Sequence, residues 1–165
     1  MSEKVALVTG AARGIGLATT KLLIEQGWQV AMVDRDAEAL TEAAESLTHA
    51  FTFVCDVSSP DQVAAMMQAV VARSGRIDAL VNNAGIADFG PLEQTDFARW
   101  RRVMETNLDG VFLVSRAALD ALKQTRNWAN TASAPIASAP GRCAPSWRWP
   151  CIRPRSSRPI TMRSR

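Results

Sequence analysis

Tyrosine is absent from this 165-residue sequence, histidine occurs once and cysteine three times. Without tyrosine there is no phenol to give or take a proton. Cys55, Cys143 and Cys151 are odd in number and lack the spacing of zinc ligands, so they suggest neither a disulfide framework nor a metal site and suit a reducing compartment. His49 falls between a helix pattern and a strand pattern and reads as a surface residue; no metal is expected. No apolar run approaches a membrane span, and Met1-Ser2-Glu3-Lys4 opens without the long apolar segment of a secretory signal, so a cytoplasmic location is expected. Acid is missing from one end only. Residues 121–165 hold 9 Lys/Arg and no Asp/Glu, whereas residues 1–120 hold 10 Lys/Arg against 16 Asp/Glu. The formal charge of +3 therefore belongs to the tail, and the acidic body has no electrostatic reason to seek nucleic acid.

What is present is an ordinary globular composition, 47% apolar, in a length that suits one domain with a real core. The chain is organised around Val5-Ala6-Leu7-Val8-Thr9-Gly10-Ala11-Ala12-Arg13-Gly14-Ile15-Gly16, an apolar run, a glycine-rich turn and the start of a helical pattern. Glycines there let the backbone turn tightly and bring N–H groups near an anion, while the helix end adds unpaired donors and partial positive charge. The ligand such a turn suits is a dinucleotide pyrophosphate.

The rest alternates. A helix is expected over 14–26, with Ile15, Ala18, Leu22 and Leu23 toward a sheet and Gly27 as its left-handed stop. A strand follows at 30–34, a helix from Asp36 through Leu47 and a strand at 51–55. Ser59-Pro60-Asp61-Gln62 has the spacing of a capping box, with Val63, Met66, Met67, Val70 and Val71 behind it as core. A strand at 77–81 runs into Asn82-Asn83-Ala84-Gly85. Thr95 is then expected to cap a continuous helix over 96–122, with Phe97, Trp100, Met104, Leu108, Val111, Ser115, Leu119 and Leu122 on one face. Such alternation predicts an α/β fold, a Rossmann-like, doubly wound parallel sheet with ligands at the carboxyl ends of its strands.

Thr9-Gly10-x-x-x-Gly14-x-Gly16, Asp34 at the end of the second strand, Asp56-Val57 after the third, Asn82-Asn83-Ala84-Gly85 after the fourth and Asn107 in the following helix together resemble the short-chain dehydrogenase/reductase family. The likeness runs from about Lys4 to the low 120s. It implies hydride transfer between a nicotinamide cofactor and a small alcohol, ketone or aldehyde. The cofactor-binding set it implies is Thr9, Gly10, Arg13, Gly14, Ile15, Gly16, Asp34, Asp56, Val57, Asn83, Ala84 and Gly85. Asp34 suits a ribose diol and repels a 2′-phosphate, favouring NAD; Arg13, basic and just before the second glycine, leaves NADP possible. Asp56 resembles the aspartate that meets the adenine amino group. Asn107 resembles the asparagine that bends its helix and holds a relay water. Family members are usually homo-oligomers.

The resemblance also requires a serine, and then a tyrosine with a lysine four residues beyond it. Asn130-Thr131-Ala132-Ser133 reads as the end of a fifth strand, with Ser133 at the serine position. Where the tyrosine should stand, residues 145–151 read Pro-Ser-Trp-Arg-Trp-Pro-Cys, and the last lysine of the chain is Lys123. Little or no turnover is expected. From Ala134 onward come six of the eight prolines and seven arginines without an acid or a sustained period. Residues 1–133 thus read as the dinucleotide-binding domain. Residues 134–165 read as an Arg/Pro-rich tail, disordered or translated after a shift of reading frame. Two alternatives stand: a cofactor-binding module without catalysis, and a tail that binds single-stranded nucleic acid through its arginines with Trp147 and Trp149. Truncation after strand 5 is also expected to bare apolar surface on the long helix and to favour promiscuous association.

Overall fold

The computed structural model describes residues 3–125. Four strands, β1 (Val5–Thr9), β2 (Gln29–Asp34), β3 (Ala50–Val54) and β4 (Ala79–Val81), form one parallel sheet in the order β3-β2-β1-β4. Leu7 lies opposite Ala31 on one side and Leu80 on the other, so β1 is paired along both edges, and all five of its residues are buried. A strand enclosed in this way has no solvent face, which is why it reads as an uninterrupted apolar run.

Helices cover both faces. Val8, Val30 and Met32 pack with Leu40 against α1 (Gly14–Glu25) and α2 (Ala37–Ala44), while Leu7, Ala31 and Val33 meet the side chains of α3 (Pro60–Ser74) and α5 (Gly110–Thr125). The alternation of Val30 and Met32 with Ala31 and Val33 is the two-residue period of a strand feeding two separate core layers. Between β4 and α5 lie a 3-10 turn (Leu92–Gln94), α4 (Phe97–Met104) and a π-helical turn (Glu105–Asp109).

Several sequence expectations are corrected. The strands are shorter or shifted: β3 starts at Ala50 and stops at Val54, and β4 spans only Ala79–Val81, with the Asp78 N–H before it already bonded to the carbonyl of Val5 on β1 at 2.8 Å. The cap of α4 is Asp96, whose Oδ1 accepts from Arg99 N at 2.8 Å; the Thr95 hydroxyl instead donates to the carbonyl of Pro91 at 3.2 Å. Ser59 does cap α3, but Gln62 reaches past it to accept from Asp56 N at 2.9 Å, tying the helix start to the loop after β3. In α1 the inward side is Gly16, Leu17, Thr20, Leu23 and Ile24, and the expected Ile15, Ala18 and Leu22 are exposed.

The expected continuous helix is broken by the π turn, and most of its apolar stripe faces outward: Phe97, Trp100, Leu108, Val111 and Leu119 are exposed, Met104 and Ser115 are half-buried, and Leu122 alone packs against the core as expected. Small residues take the inward side instead. A Cβ on Gly110 would stand 2.8 Å from Val57 Cγ2, and Val114, Ala118 and Ala121 follow it against the sheet. Packing distance, which hydropathy does not encode, selects the inward face here. The expected fifth strand at 130–133 and the tail at 134–165 lie outside the described residues.

Candidate functional site

The carboxyl ends of β1, β2 and β4, with the loop after β3, surround a cleft of about 410 Å³. Its lining includes Gly10, Arg13, Asp34, Asp56, Val57, Asn83, Ala84 and Gly85 from the sequence-derived set. Thr9 lies beneath, 1% exposed; Gly16 is buried behind the turn, and Gly14 and Ile15 stand exposed at the start of α1. Asn107 adjoins the cleft through Gly85 and Ile86. Ser133 lies outside the described residues. Val33, Arg35, Asp36, Cys55, Ile86 and Thr106 also line the cleft and were not singled out beforehand. For Arg35 and Asp36 the signal was available, since both follow Asp34 directly at the end of a strand.

The turn after β1 is held from below by one hydroxyl and one amide. Thr9 Oγ1 accepts from the N–H groups of Asn83 and Ala84, both at 3.0 Å, and Asn83 Nδ2 donates to the carbonyls of Thr9 and Gly10 at 3.0 and 3.1 Å. Buried donors left without an acceptor cost about 1–3 kcal/mol each, so this latch fixes the ends of β1 and β4 relative to one another. Gly10 itself has φ +64°, and a Cβ there would meet Ala84 Cα at 2.9 Å.

The start of α1 differs from those of α2, α3 and α4. Asp36, Ser59 and Asp96 each cap their helix with a side chain, whereas Arg13 at the head of α1 makes no such bond. The first intrahelical bond of α1 runs from Leu17 N to the Arg13 carbonyl at 3.2 Å. The N–H groups of Gly14, Ile15 and Gly16 precede it, a set of donors suited to an anion.

Carboxylates mark the other end of the cleft. Asp34 Oδ2 accepts from Ala12 N and its Oδ1 from Asp36 N, both at 3.1 Å, so the second strand is locked onto the glycine turn. Asp56 Oδ1 accepts from the hydroxyl of Ser58 at 2.7 Å and from its N–H at 2.9 Å. That hydroxyl bond, aided by the Ser58 amide and the charge of Arg35, holds the Asp56 carboxyl below its ordinary range against the effect of burial. Cys55 is pushed up to about 11 by burial and by the neighbouring Asp56 charge, so its thiol stays protonated at neutral pH and offers no nucleophile.

Asn107 lies within the π turn. Its Oδ1 accepts from Ile86 N at 2.8 Å and its Nδ2 donates to the Ile86 carbonyl at 2.9 Å, a two-point grip on the segment leaving β4. Further along, Asp88 accepts from Arg99 Nε at 3.0 Å and Arg102 Nη2 at 2.8 Å. Hydrogen bonding from Arg99, then its charge and that of Arg102, lower the Asp88 carboxyl to about 2. Because the folded value lies below the unfolded one, the stabilisation is fully present above about pH 4 and is lost as pH falls through about 2. A carbon-detected NMR titration is expected to place the Asp88 midpoint near 2, and Arg99→Gln to raise it; an ordinary midpoint in the wild type would break the ion-pair assignment.

Among the described residues there is no cluster able to hold a metal ion, and no helix is long and apolar enough to cross a membrane. His49 is exposed.

The family model for short chain dehydrogenases matches residues 4–134. The chain is 45% identical over 122 residues to a cis-4-hydroxycyclohexanecarboxylate dehydrogenase of Sinomonas cyclohexanicum, covering 72% of this chain and 49% of that one. It is 42% identical over 122 residues to a D-threitol dehydrogenase of Mycolicibacterium smegmatis, covering 71% and 46%. It thus spans about half the length of these relatives. Among solved structures, a 3-ketoacyl-(acyl-carrier-protein) reductase from Brucella melitensis in complex with NADH superposes with a TM-score of 0.73 at 32% identity, over 79% of this chain and 55% of that one. An alcohol dehydrogenase from Thermococcus sibiricus, in complex with 5-hydroxy-NADP, gives 0.71 at 35% identity over 74% and 55%. Since the family model covers residues 4–134, this protein belongs to the short chain dehydrogenase family.

Proposed function

We propose that the described domain seats an adenine dinucleotide, NAD(H) in preference to NADP(H), and that the 165-residue chain transfers hydride slowly or not at all. The observation that carries the reading is the uncapped start of α1, which opens beside a cleft whose far end holds the Asp34 carboxylate. The residues present fit the group. Backbone donors of Gly14, Ile15 and Gly16 would take the pyrophosphate, Asp34 would accept from a ribose diol, and Asp56 at the cleft edge would face the adenine amino group. The Asn83-Ala84-Gly85 segment would lie along the cofactor, held by the Thr9 latch.

A bound nicotinamide supplies a ring carbon that gives hydride to, or takes it from, a small alcohol, ketone or aldehyde. For the proton that must accompany the hydride this chain offers no tyrosine, and no lysine beyond Lys123. Asn107 has its amide committed to Ile86, so it positions the segment after β4.

Titration of the full chain with NADH, followed by cofactor fluorescence and by the rise in melting temperature that a ligand of the folded state produces, is expected to show saturable binding. A folded sample indifferent to NADH, NADPH and ADP-ribose would overturn the reading.

A further inference from the structure

Five charged side chains line one end of the cleft: Arg13, Asp34, Arg35, Asp36 and Asp56. Resting on the reading that this cleft takes an adenine dinucleotide, we propose that Asp36 is a second determinant of cofactor choice, acting by holding the Arg13 guanidinium in an ion pair and so withholding it from a 2′-phosphate.

Arg13 and Asp36 are 23 positions apart and meet through Arg13 Nη2 and Asp36 Oδ2. The other oxygen of Asp36 is also committed, since Oδ1 accepts from Ala39 N at 3.1 Å and caps α2. The Asp36 N–H in turn donates to Asp34 Oδ1 at 3.1 Å. Asp36 is therefore anchored through its backbone and one carboxylate oxygen, and the second oxygen is presented to Arg13 from a fixed place. The Ala39 amide, together with the hydrogen bond and charge of Arg13, keeps the carboxyl below its ordinary range, so it is ionised at neutral pH.

The consequence is a division of labour between two carboxylates. Asp34 meets the ribose hydroxyls and repels a phosphate directly. Asp36 removes the cation that would otherwise offset that repulsion. The Arg13 and Asp36 side chains are 68% and 42% exposed, so the pair adds little to stability; its effect lies in where it holds the guanidinium. With Asp36 neutral, Arg13 would lose its ion-pair partner while Arg35 keeps Asp56 within reach of its charge, and a 2′-phosphate would find a charged donor in Arg13 at the cleft rim.

Asp36→Asn is the informative change, because Asn caps a helix about as well as Asp while losing the charge. Dissociation constants for NADH and NADPH are measured by fluorescence on the full chain, for wild type, Asp36→Asn, Asp36→Ser and the double variant Asp36→Asn with Arg13→Ala. Both single changes are expected to shift the NADPH to NADH ratio about two- to fivefold toward NADPH, the most that an ion pair this exposed can withhold, and removing Arg13 as well should cancel the gain. Asp36→Ser, with a second capping side chain, guards against a folding defect peculiar to one variant. An unchanged ratio in a protein that binds NADH, or a gain that survives the loss of Arg13, overturns the proposal alone. Wild-type protein that binds neither dinucleotide removes the cofactor reading with it.

Discussion

Gly16→Ala is expected to abolish measurable NADH binding and to lower the melting temperature by roughly 10 °C, the equivalent of about 3 kcal/mol in a domain of this size. A Cβ at this position would stand 2.0 Å from the Gly10 carbonyl oxygen and 2.6 Å from Asn83 Nδ2. Neither neighbour can yield cheaply. The Gly10 carbonyl belongs to a backbone turn at φ +64° and accepts from Asn83 Nδ2 at 3.1 Å, and the same Nδ2 also holds the Thr9 carbonyl. Relief must come from moving the head of α1 away from β1, which displaces the donors of Gly14, Ile15 and Gly16 and strains the Thr9 latch together. Gly14→Ala makes the control. Its φ is +56° but nothing lies within 4 Å of an added Cβ, so only the left-handed backbone is penalised, by about 1–2 kcal/mol. Thermal melts and NADH titrations of the two variants separate these causes. Equal losses in both would mean that backbone conformation, and not the close approach of α1 to the turn, governs the site.

The architecture was readable because the strands obey simple rules. A buried parallel strand such as β1 is apolar up to the Thr9 that ends it, and Gly27 marks the end of α1 by backbone chemistry that depends only on near neighbours. What escaped depends on contacts between distant positions. The resemblance marks Asn107 as a point of bending, but the hydropathy of the run from Phe97 to Leu122 gives no sign of a π turn, within which Asn107 exchanges two hydrogen bonds with Ile86, 21 positions earlier. Once the turn is inserted, Gly110 can approach Val57 and the helix buries Val114, Ala118 and Ala121 instead of its larger side chains. Most of the stripe that hydropathy assigns to the core, Phe97 through Leu119, is left facing solvent, and Leu122 keeps its place. The Arg13 and Asp36 pair and the Asp88 cluster escaped for the same reason: ion pairs across 23 and 14 positions leave no periodic trace. In the cleft, motif spacing located the glycine turn, Asp34, Asp56 and the Asn83-Ala84-Gly85 segment. It was blind to Ile86 and Thr106, which are generic residues placed there by the grip of Asn107 and by the π turn.

Purified 165-residue protein is expected to bind NADH yet to reduce ketones and aldehydes at least about 10²-fold more slowly than an ordinary dehydrogenase, with the loss reaching about 10⁴-fold. Positioned proton transfer contributes about 3–5 kcal/mol of barrier lowering, and it needs a group of suitable pKa within hydrogen-bond reach of the substrate oxygen. The described cleft supplies none. The Cys55 thiol carries a proton but is buried at 1% exposure, Asp56 is held ionised by Ser58, and Asn107 does not titrate. Holding a substrate beside the nicotinamide would still confer some rate by proximity, which is why the expectation is a residual rather than zero. The measurement is single-turnover oxidation of bound NADH against a panel of small ketones and aldehydes, with occupancy established beforehand by titration. Turnover of about 1 per second or faster would show that the proton comes from a group outside the 3–125 region, such as one carried by the tail, or from water organised at the site. If the tail arises from a shifted reading frame between about codons 124 and 139, the coding DNA read in the other frames exposes a Tyr-x-x-x-Lys. A chain carrying that segment should then recover the missing two to four orders of magnitude with little change in its NADH affinity. A rate that recovered only together with a large gain in NADH affinity would instead locate the defect in the seating of the cofactor.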